Sequence, residues 1–316
     1  MKEVIIYSMD SGFRDEFTIN GYRFGGKTNE EYDKSACIVG AMRGNEYQQL
    51  YICALLMKQL AELEQNGAIV GNNQILVIPS ANSMSMNVGK RFWTSDNTDI
   101  NRQFPGNKQG EPTSRIAAAI MEAIEGYRYG IQLPSFYMEG EFISHVRMPE
   151  TGKESTSLAN LFGLPYVMVA KSRAFDSKTL NYNWQIRGTE AFSLYTSNTE
   201  TVDEARARQA VSAILRFLTR MGILRYNCHN GYIASILEEN ELVSVKARSA
   251  GFLRRLVEIN TEVQRGDLLA EIIDPYLGTI VSEIRATVNG IVFYSSTKPI
   301  VTQNSIAFQI IKKLHE

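Results

Sequence analysis

Two charged residues three positions apart pose the first chemical question. Arg43 and Glu46 lie in IVGAMRGNE (residues 38–46), where a hydrophobic run breaks into small residues and then Gly-Asn-Glu. A guanidinium cannot be deprotonated in a protein and cannot ligate a metal ion, but it can neutralise a buried carboxylate that would otherwise take up a proton. The strongest local signal is TDINRQFPG (98–106), which sets Asn101 beside Arg102, with Arg91 upstream. Arginine suits a carboxylate because its planar fork gives two parallel charge-assisted bonds. The plainer use of Arg102 is a structural ion pair with Asp96 or Asp99. The chain has three histidines. His315 stands one residue from the end and is expected to be exposed. His229 in NCHN, beside Cys228, has no matching ligand pair elsewhere and reads as part of an ordinary interdomain loop. With His145 they form no legible zinc triad. No nucleotide-binding glycine loop is present, and no Cys-His or Ser-His spacing suggests a nucleophile.

The elements that must hold these residues follow from periodicity. Short apolar runs bounded by turn residues, at 36–42, 75–80, 129–133, 165–170 and 191–196, read as buried strands. Between them, 46–65, 114–126, 155–162 and 202–221 carry apolar residues at helical spacing, and Gly222 supplies a C-terminal stop. The alternation predicts an α/β domain over residues 1–226 with a mixed sheet and flanking helices. From about residue 227 helical periodicity vanishes and β-type runs with Gly turns take over, marking a second domain over 227–316. Two stretches there, 250–272 and 289–310, look like one pattern used twice: Gly251 and Gly290 are 39 apart, Val263 and Val301 are 38 apart. Two such units closing on each other make a small β-sandwich, since one alone could not bury its apolar face. The module resembles the biotinyl/lipoyl barrel-sandwich hybrid. Its carriers present a modifiable lysine at a hairpin, but residues 271–290 contain no lysine, so a structural or lid domain is expected.

Bulk properties bound the function. A chain of 316 residues, 44% hydrophobic and 21% charged, can bury one large core plus a small satellite domain. With 33 basic and 34 acidic residues there is no general electrostatic pull toward nucleic acid or an anionic membrane. The N-terminus has too short an apolar core for a signal peptide, and no apolar run approaches a membrane span. A cytoplasmic protein is expected. Cys37, Cys53 and Cys228 are too scattered for a disulfide framework or thiolate zinc site and are expected in the core.

The order and spacing of RGNE, PSAN (79–82), Arg91, TDINRQFPG, SHVRMP (144–149), LANLFGLP (158–165) and the C-terminal β module resemble the succinylglutamate desuccinylase/aspartoacylase family, relatives of the zinc carboxypeptidases. The resemblance implies a carboxypeptidase-like α/β domain and a zinc ion held by H-G-x-E and D-L-H stretches. A glutamate in a T-x-E-x-G stretch acts as general base and acid in that family. Three protein ligands leave a fourth position for a water whose pKa the metal lowers. Matched residue by residue, the first histidine position falls on Arg43, while the glutamate ligand survives as Glu46. The D-L-H stretch falls on QLP, so Gln132 replaces the acid and Pro134 the second histidine. The catalytic glutamate falls on Tyr195, with Ser197 at the glycine.

What the resemblance retains is the half that would bind carboxylate. In relatives an Asn-Arg pair like Asn101 and Arg102, with an upstream arginine like Arg91, grips the substrate carboxylate. Arg147 is a further candidate, and His145 falls near the pocket mouth as a polar pocket residue. The expectation is a pseudoenzyme-like member without catalytic zinc or other cofactor, binding a small carboxylate such as an N-acyl amino acid or a peptide end. A homo-oligomer or protein partner fits that role; nucleic acid and membrane do not. The rival is an active amide hydrolase with a non-standard metal site or none. If zinc is absent, Glu46 should be held by Arg43 or another pocket cation.

Overall fold

The computed structural model describes residues 1–10, 15–26, 32–136, 138–196 and 199–313. Contacts divide the chain into two compact units, one of residues 1–135 and 144–236, the other of 136–143 and 237–316. The division falls ten residues later than the composition change suggests. The octapeptide 136–143 leaves the first unit's stretch of sequence to join the second.

In the first unit, chain order gives β1 (Lys2–Met9), β2 (Phe17–Gly25), β3 (Asp33–Ala41), α1 (Tyr47–Gln65), β4 (Asn73–Ser80), α2 (Ser83–Met86), α3 (Pro112–Ala123) and β5 (Tyr129–Gln132). After β6 (Gly140–Phe142), which belongs to the second unit, come β7 (His145–Glu150), α4 (Thr156–Asn160), β8 (Tyr166–Lys171), α5 (Leu180–Ile186), β9 (Glu190–Tyr195), α6 (Glu204–Arg220) and, spanning the division at residue 236, β10 (Ser235–Glu238). The strands form one nine-stranded sheet in the order β1-β2-β4-β3-β5-β9-β7-β8-β10. It is mixed: β4-β3-β5-β9 run parallel, whereas β7 is antiparallel to β9 and parallel to β8.

The central strands are unalternating because both faces are covered. On one face, Ile52, Leu56 and Leu60 of α1 and Ile214, Phe217 and Leu218 of α6 pack with Ile38, Ile131 and Phe192. On the other, Ile116 and Ile120 of α3 and Trp184 of α5 pack with Cys37, Val39 and Ile78. α5 approaches so closely that a Cβ at Gly130 would stand 2.8 Å from the Trp184 ring. Cys37 and Cys53 are core residues as expected, and Cys228 is half-buried. Burial pushes the Cys53 thiol up to about 12. α6 starts at Asp203, whose side chain accepts from Arg206 N, and ends before Gly222 at φ 73°. Among the described residues no helix is long and apolar enough to cross a membrane.

The second unit contains β11 (Leu242–Lys246), β12 (Gly251–Arg255), β13 (Glu262–Val263), β14 (Leu268–Ile273), β15 (Ile280–Arg285), β16 (Gly290–Ser296), β17 (Ile300–Val301) and β18 (Ile306–Lys312). Two sheets, β11-β18-β16-β13 and β15-β14-β12-β17, enclose a core that includes Leu269, Ile272, Val292, Phe308 and Ile310. The internal repeat acquires a geometric meaning. Gly251 of the first copy pairs with Val301 of the second, and Gly290 of the second with Val263 of the first. Each half completes the other's sheet, so neither copy buries its face alone. The segment 136–143 adds β6 to β16, with Phe142 opposite Tyr294, and Phe136 packs 4.7 Å from Phe142.

Candidate functional site

The C-terminal ends of β3 and β5 meet at a buried charged cluster. β3 stops at Ala41, and Met42 to Asn45 turn the chain into α1. The turn is pressed against its surroundings: Gly44 N donates to Arg91 O at 3.0 Å, and a Cβ at Gly44 would stand 2.2 Å from Lys90 O. This tightness aims the amides of Met42 and Arg43 at Glu46 Oε2, at 2.7 and 3.0 Å. Glu46 Oε1 accepts from Arg43 Nη1 at 3.1 Å, Ser135 N at 3.1 Å and Ser135 Oγ at 2.6 Å. Arg43 does hold Glu46, as its spacing suggests.

Arg43 is shared. Its Nε and Nη2 donate to Asp99 Oδ2 at 3.2 and 2.8 Å, and its Nη1 also donates to Ser135 Oγ at 3.0 Å. Burial opposes the charged form, but the Glu46 and Asp99 carboxylates outweigh it and hold the Arg43 pKa above its ordinary value. Asp99 also orders the next turn: its Oδ1 accepts from Asn101 N at 3.0 Å, opening the 3-10 turn Ile100–Arg102. Asn101 is buried, and its Oδ1 accepts from Gln132 Nε2 at 3.1 Å and Leu180 N at 3.2 Å. Gln132 is thus a buried neutral amide tied to Asn101.

A polar row continues across the sheet. Gln132 on β5 is the register partner of Ser193 on β9, which is that of Arg147 on β7. Asn181 of α5 donates to Ser193 Oγ at 2.8 Å. Tyr195 is the register partner of His145, and their rings stack 5.2 Å apart at 3°. His145 is fully buried.

The remaining expected residues fall variously. Arg102 neither pairs with Asp96 nor with Asp99; its Nη1 donates to Phe175 O at 3.1 Å and Asp176 Oδ1 at 3.3 Å, and it lies over the Phe175 ring. The reason is the turn Ala174–Lys178, which brings Asp176 alongside, while Asp96 caps Thr98 N and Asp99 serves Arg43. Arg91 is half-buried, and its guanidinium has no hydrogen bond or ion pair among the described residues. Burial, then the nearby Arg43, pulls its pKa below the ordinary value against Glu46, Asp99 and Glu200. Arg147 is half-buried on β7. His229 is exposed, and its carbonyl accepts from Arg216 Nε at 2.6 Å. His315 and Ser197 lie outside the described residues. Ser135, Asp99 as a partner of Arg43, and Glu200, which accepts from Asn45 Nδ2 at 2.8 Å, are site residues that sequence reasoning missed.

A model of the succinylglutamate desuccinylase/aspartoacylase catalytic domain matches residues 32–221, which contain every residue of this cluster. The chain belongs to this family. No curated protein matches the sequence. Among solved structures, the product-bound ectoine utilization protein EutE (DoeB) from Ruegeria pomeroyi is similar with a TM-score of 0.78 and 16% identity, covering 97% of this chain and 93% of its own. A succinylglutamate desuccinylase from a Silicibacter species is similar with a TM-score of 0.78 and 16% identity, over 97% and 92% of the two chains. An aspartoacylase family protein from Mesorhizobium loti is similar with a TM-score of 0.75 and 18% identity, over 99% and 94%. At these identities the likeness establishes the shared fold, and the chemistry must be argued from the residues.

Proposed function

We propose that this chain is a member of the succinylglutamate desuccinylase/aspartoacylase family that binds a small carboxylate, such as an amino acid derivative or a peptide end, without hydrolysing it through zinc. Arg91, Asn101, Arg102 and Arg147 are the residues proposed to receive the carboxylate, with Arg91 foremost because its guanidinium, lying over the Phe92 ring, has no hydrogen bond or ion pair among the described residues. Arg102 keeps part of its fork for a ligand while Asp176 holds Nη1.

The observation that carries the reading is the state of Glu46. Its two oxygens accept five hydrogen bonds, one of them from a guanidinium. A carboxylate so occupied is a poor metal ligand and a poor base, because both roles need the lone pairs already engaged. The residues around it do not fit a zinc ion: Arg43 brings a fixed positive charge, Pro134 has no side-chain donor atom, and Tyr195 is stacked on His145. Among the described residues no three His, Cys, Asp or Glu side chains stand close enough together to hold a metal. The cluster is a structural ion network that keeps the family's loop in shape.

Metal analysis of protein purified without chelators, with release of amino acid from N-acyl substrates, tests the proposal. The expected result is substoichiometric zinc, no chelator-sensitive hydrolysis, and thermal stabilisation by a subset of small carboxylates through mass action. One tightly held zinc per chain with chelator-sensitive hydrolysis would establish the active-hydrolase reading instead.

A further inference from the structure

We infer that the ligand of this pocket carries a cationic nitrogen beside its carboxylate, as a free α-amino acid does, with Arg91 receiving the carboxylate and Glu200 the ammonium. The inference rests on the carboxylate-binding reading and narrows it to unacylated ligands.

Glu200 and Arg91 flank the same dipeptide. Arg91 O accepts from Gly44 N at 3.0 Å, and Glu200 Oε1 accepts from the Asn45 side chain at 2.8 Å. The Glu200 segment is pinned there: Gln48 N donates to Thr199 O at 3.1 Å, and the Gln48 amide closes on both backbone groups of Asp203, at 3.0 and 2.9 Å. An exposed carboxylate and a guanidinium without a hydrogen bond or ion pair among the described residues are thus brought to the same turn, Gly44–Asn45, near enough for Glu200 to act on the Arg91 charge. A zwitterion satisfies both, whereas an N-acyl amino acid has only a neutral amide N–H to offer Glu200.

The charge balance points the same way. Glu46, Asp99 and Glu200 stand against Arg43 and Arg91, Asp176 offsets Arg102, and Arg147 brings the proposed site to neutrality. At the position matched to a ligand of a doubly charged metal, Arg43 contributes a single positive charge, and that charge is consumed by Glu46 and Asp99. An N-acyl amino acid would leave at least one uncompensated negative charge. A free amino acid with a neutral side chain adds none, and so avoids like-charge crowding beside the buried Glu46.

The test titrates the full-length protein calorimetrically with the twenty L-amino acids and their N-acetyl derivatives. At least one free amino acid should bind ten-fold or more tightly than its N-acetyl form. Glu200→Gln, which can still accept from Asn45, should weaken the free amino acid at least ten-fold and leave the N-acetyl form unchanged or tighter. Arg91→Ala should weaken both. Equal or tighter binding of the N-acetyl forms by the parent protein overturns the inference while leaving carboxylate binding intact. An ammonium preference that survives in Glu200→Gln also overturns it. If no carboxylate of either class binds, the carboxylate-binding reading falls and this inference with it.

Discussion

Arg43 and Arg216 are buried to nearly the same extent, 6% and 7% exposed, and they meet the cost of desolvation in opposite ways. Arg43 sits between two carboxylates, Glu46 and Asp99, and its pKa is held above the ordinary value against burial. Arg216, on α6, donates Nε to His229 O at 2.6 Å and Nη1 to Phe162 O at 2.5 Å. No carboxylate bridges it among the described residues, and burial draws its pKa down. Glycine backbones line its slot: Cβ atoms at Gly163 and Gly231 would stand 2.8 and 2.9 Å from its guanidinium. The contrast separates two uses of a buried cation. Arg216 is a peg that ties the loop after α6 to the turn before β8. Arg43 is a counter-ion, held between two carboxylates.

The contrast is sharpest on removal of the charge. Arg43→Ala should lose about 3 kcal/mol or more of folding stability, because Glu46 and Asp99 remain as uncompensated charges. The companion double variant Arg43→Ala with Glu46→Ala should recover part of that loss, and only part, since Asp99 stays unpaired. Urea unfolding of the parent, both single variants and the double closes the cycle. An Arg43→Ala protein as stable as the parent would show that Arg43 is not a counter-ion.

Arg216→Ala should lose less, about 2 kcal/mol, through lost aliphatic packing together with two lost bonds to carbonyls, with no charge left behind. Methionine discriminates better, because it preserves the aliphatic packing of either arginine. Arg216→Met should recover much of the alanine loss, whereas Arg43→Met should recover little. Equal behaviour of the two methionine variants in thermal unfolding would erase the distinction. A smaller effect is expected from Gly231→Ala, about 1 kcal/mol or more, because residue 231 sits at φ 74° and the new methyl group would press on the guanidinium. The same change at Gly152, also at positive φ but with open space around its Cβ position, should lose less.

What could be read from sequence and what could not divides by distance along the chain. The buried runs of β3, β4, β5, β8 and β9 were legible because unbroken apolar stretches bounded by turns have few other uses. Arg43 and Glu46, three apart at a strand end, were legible as a pair for the same local reason. Asp99 reaches Arg43 across 56 positions and Ser135 reaches Glu46 across 89, and nothing in either neighbourhood signals the partner. Arg102 illustrates the hazard: its nearby acids are used elsewhere, and its partner Asp176 lies 74 positions away. β7 was obscured by an arginine and a proline within HVRMPE, and α5 by its buried amides Asn181, Asn183 and Gln185. β6 is three residues long, too short to carry a period.

The finest probe of the counter-ion network is Ser135, which stands between the two charges. Its hydroxyl donates to Glu46 Oε1 at 2.6 Å and accepts from Arg43 Nη1 at 3.0 Å. Ser135→Ala removes both bonds, yet orphans neither charge: Glu46 Oε1 keeps Ser135 N and Arg43 Nη1, and Arg43 Nη1 keeps Glu46. The expected loss is therefore moderate, about 1–2 kcal/mol, toward the low end for bonds to charged groups because both charges keep other partners. Combined with Arg43→Ala, the serine change should become more damaging, since its hydroxyl would then be among the few groups left solvating Glu46. Denaturant unfolding of the two singles and the double measures that coupling. A loss from Ser135→Ala alone that rivals Arg43→Ala would mean that the hydroxyl, and not the guanidinium, is what keeps Glu46 in place.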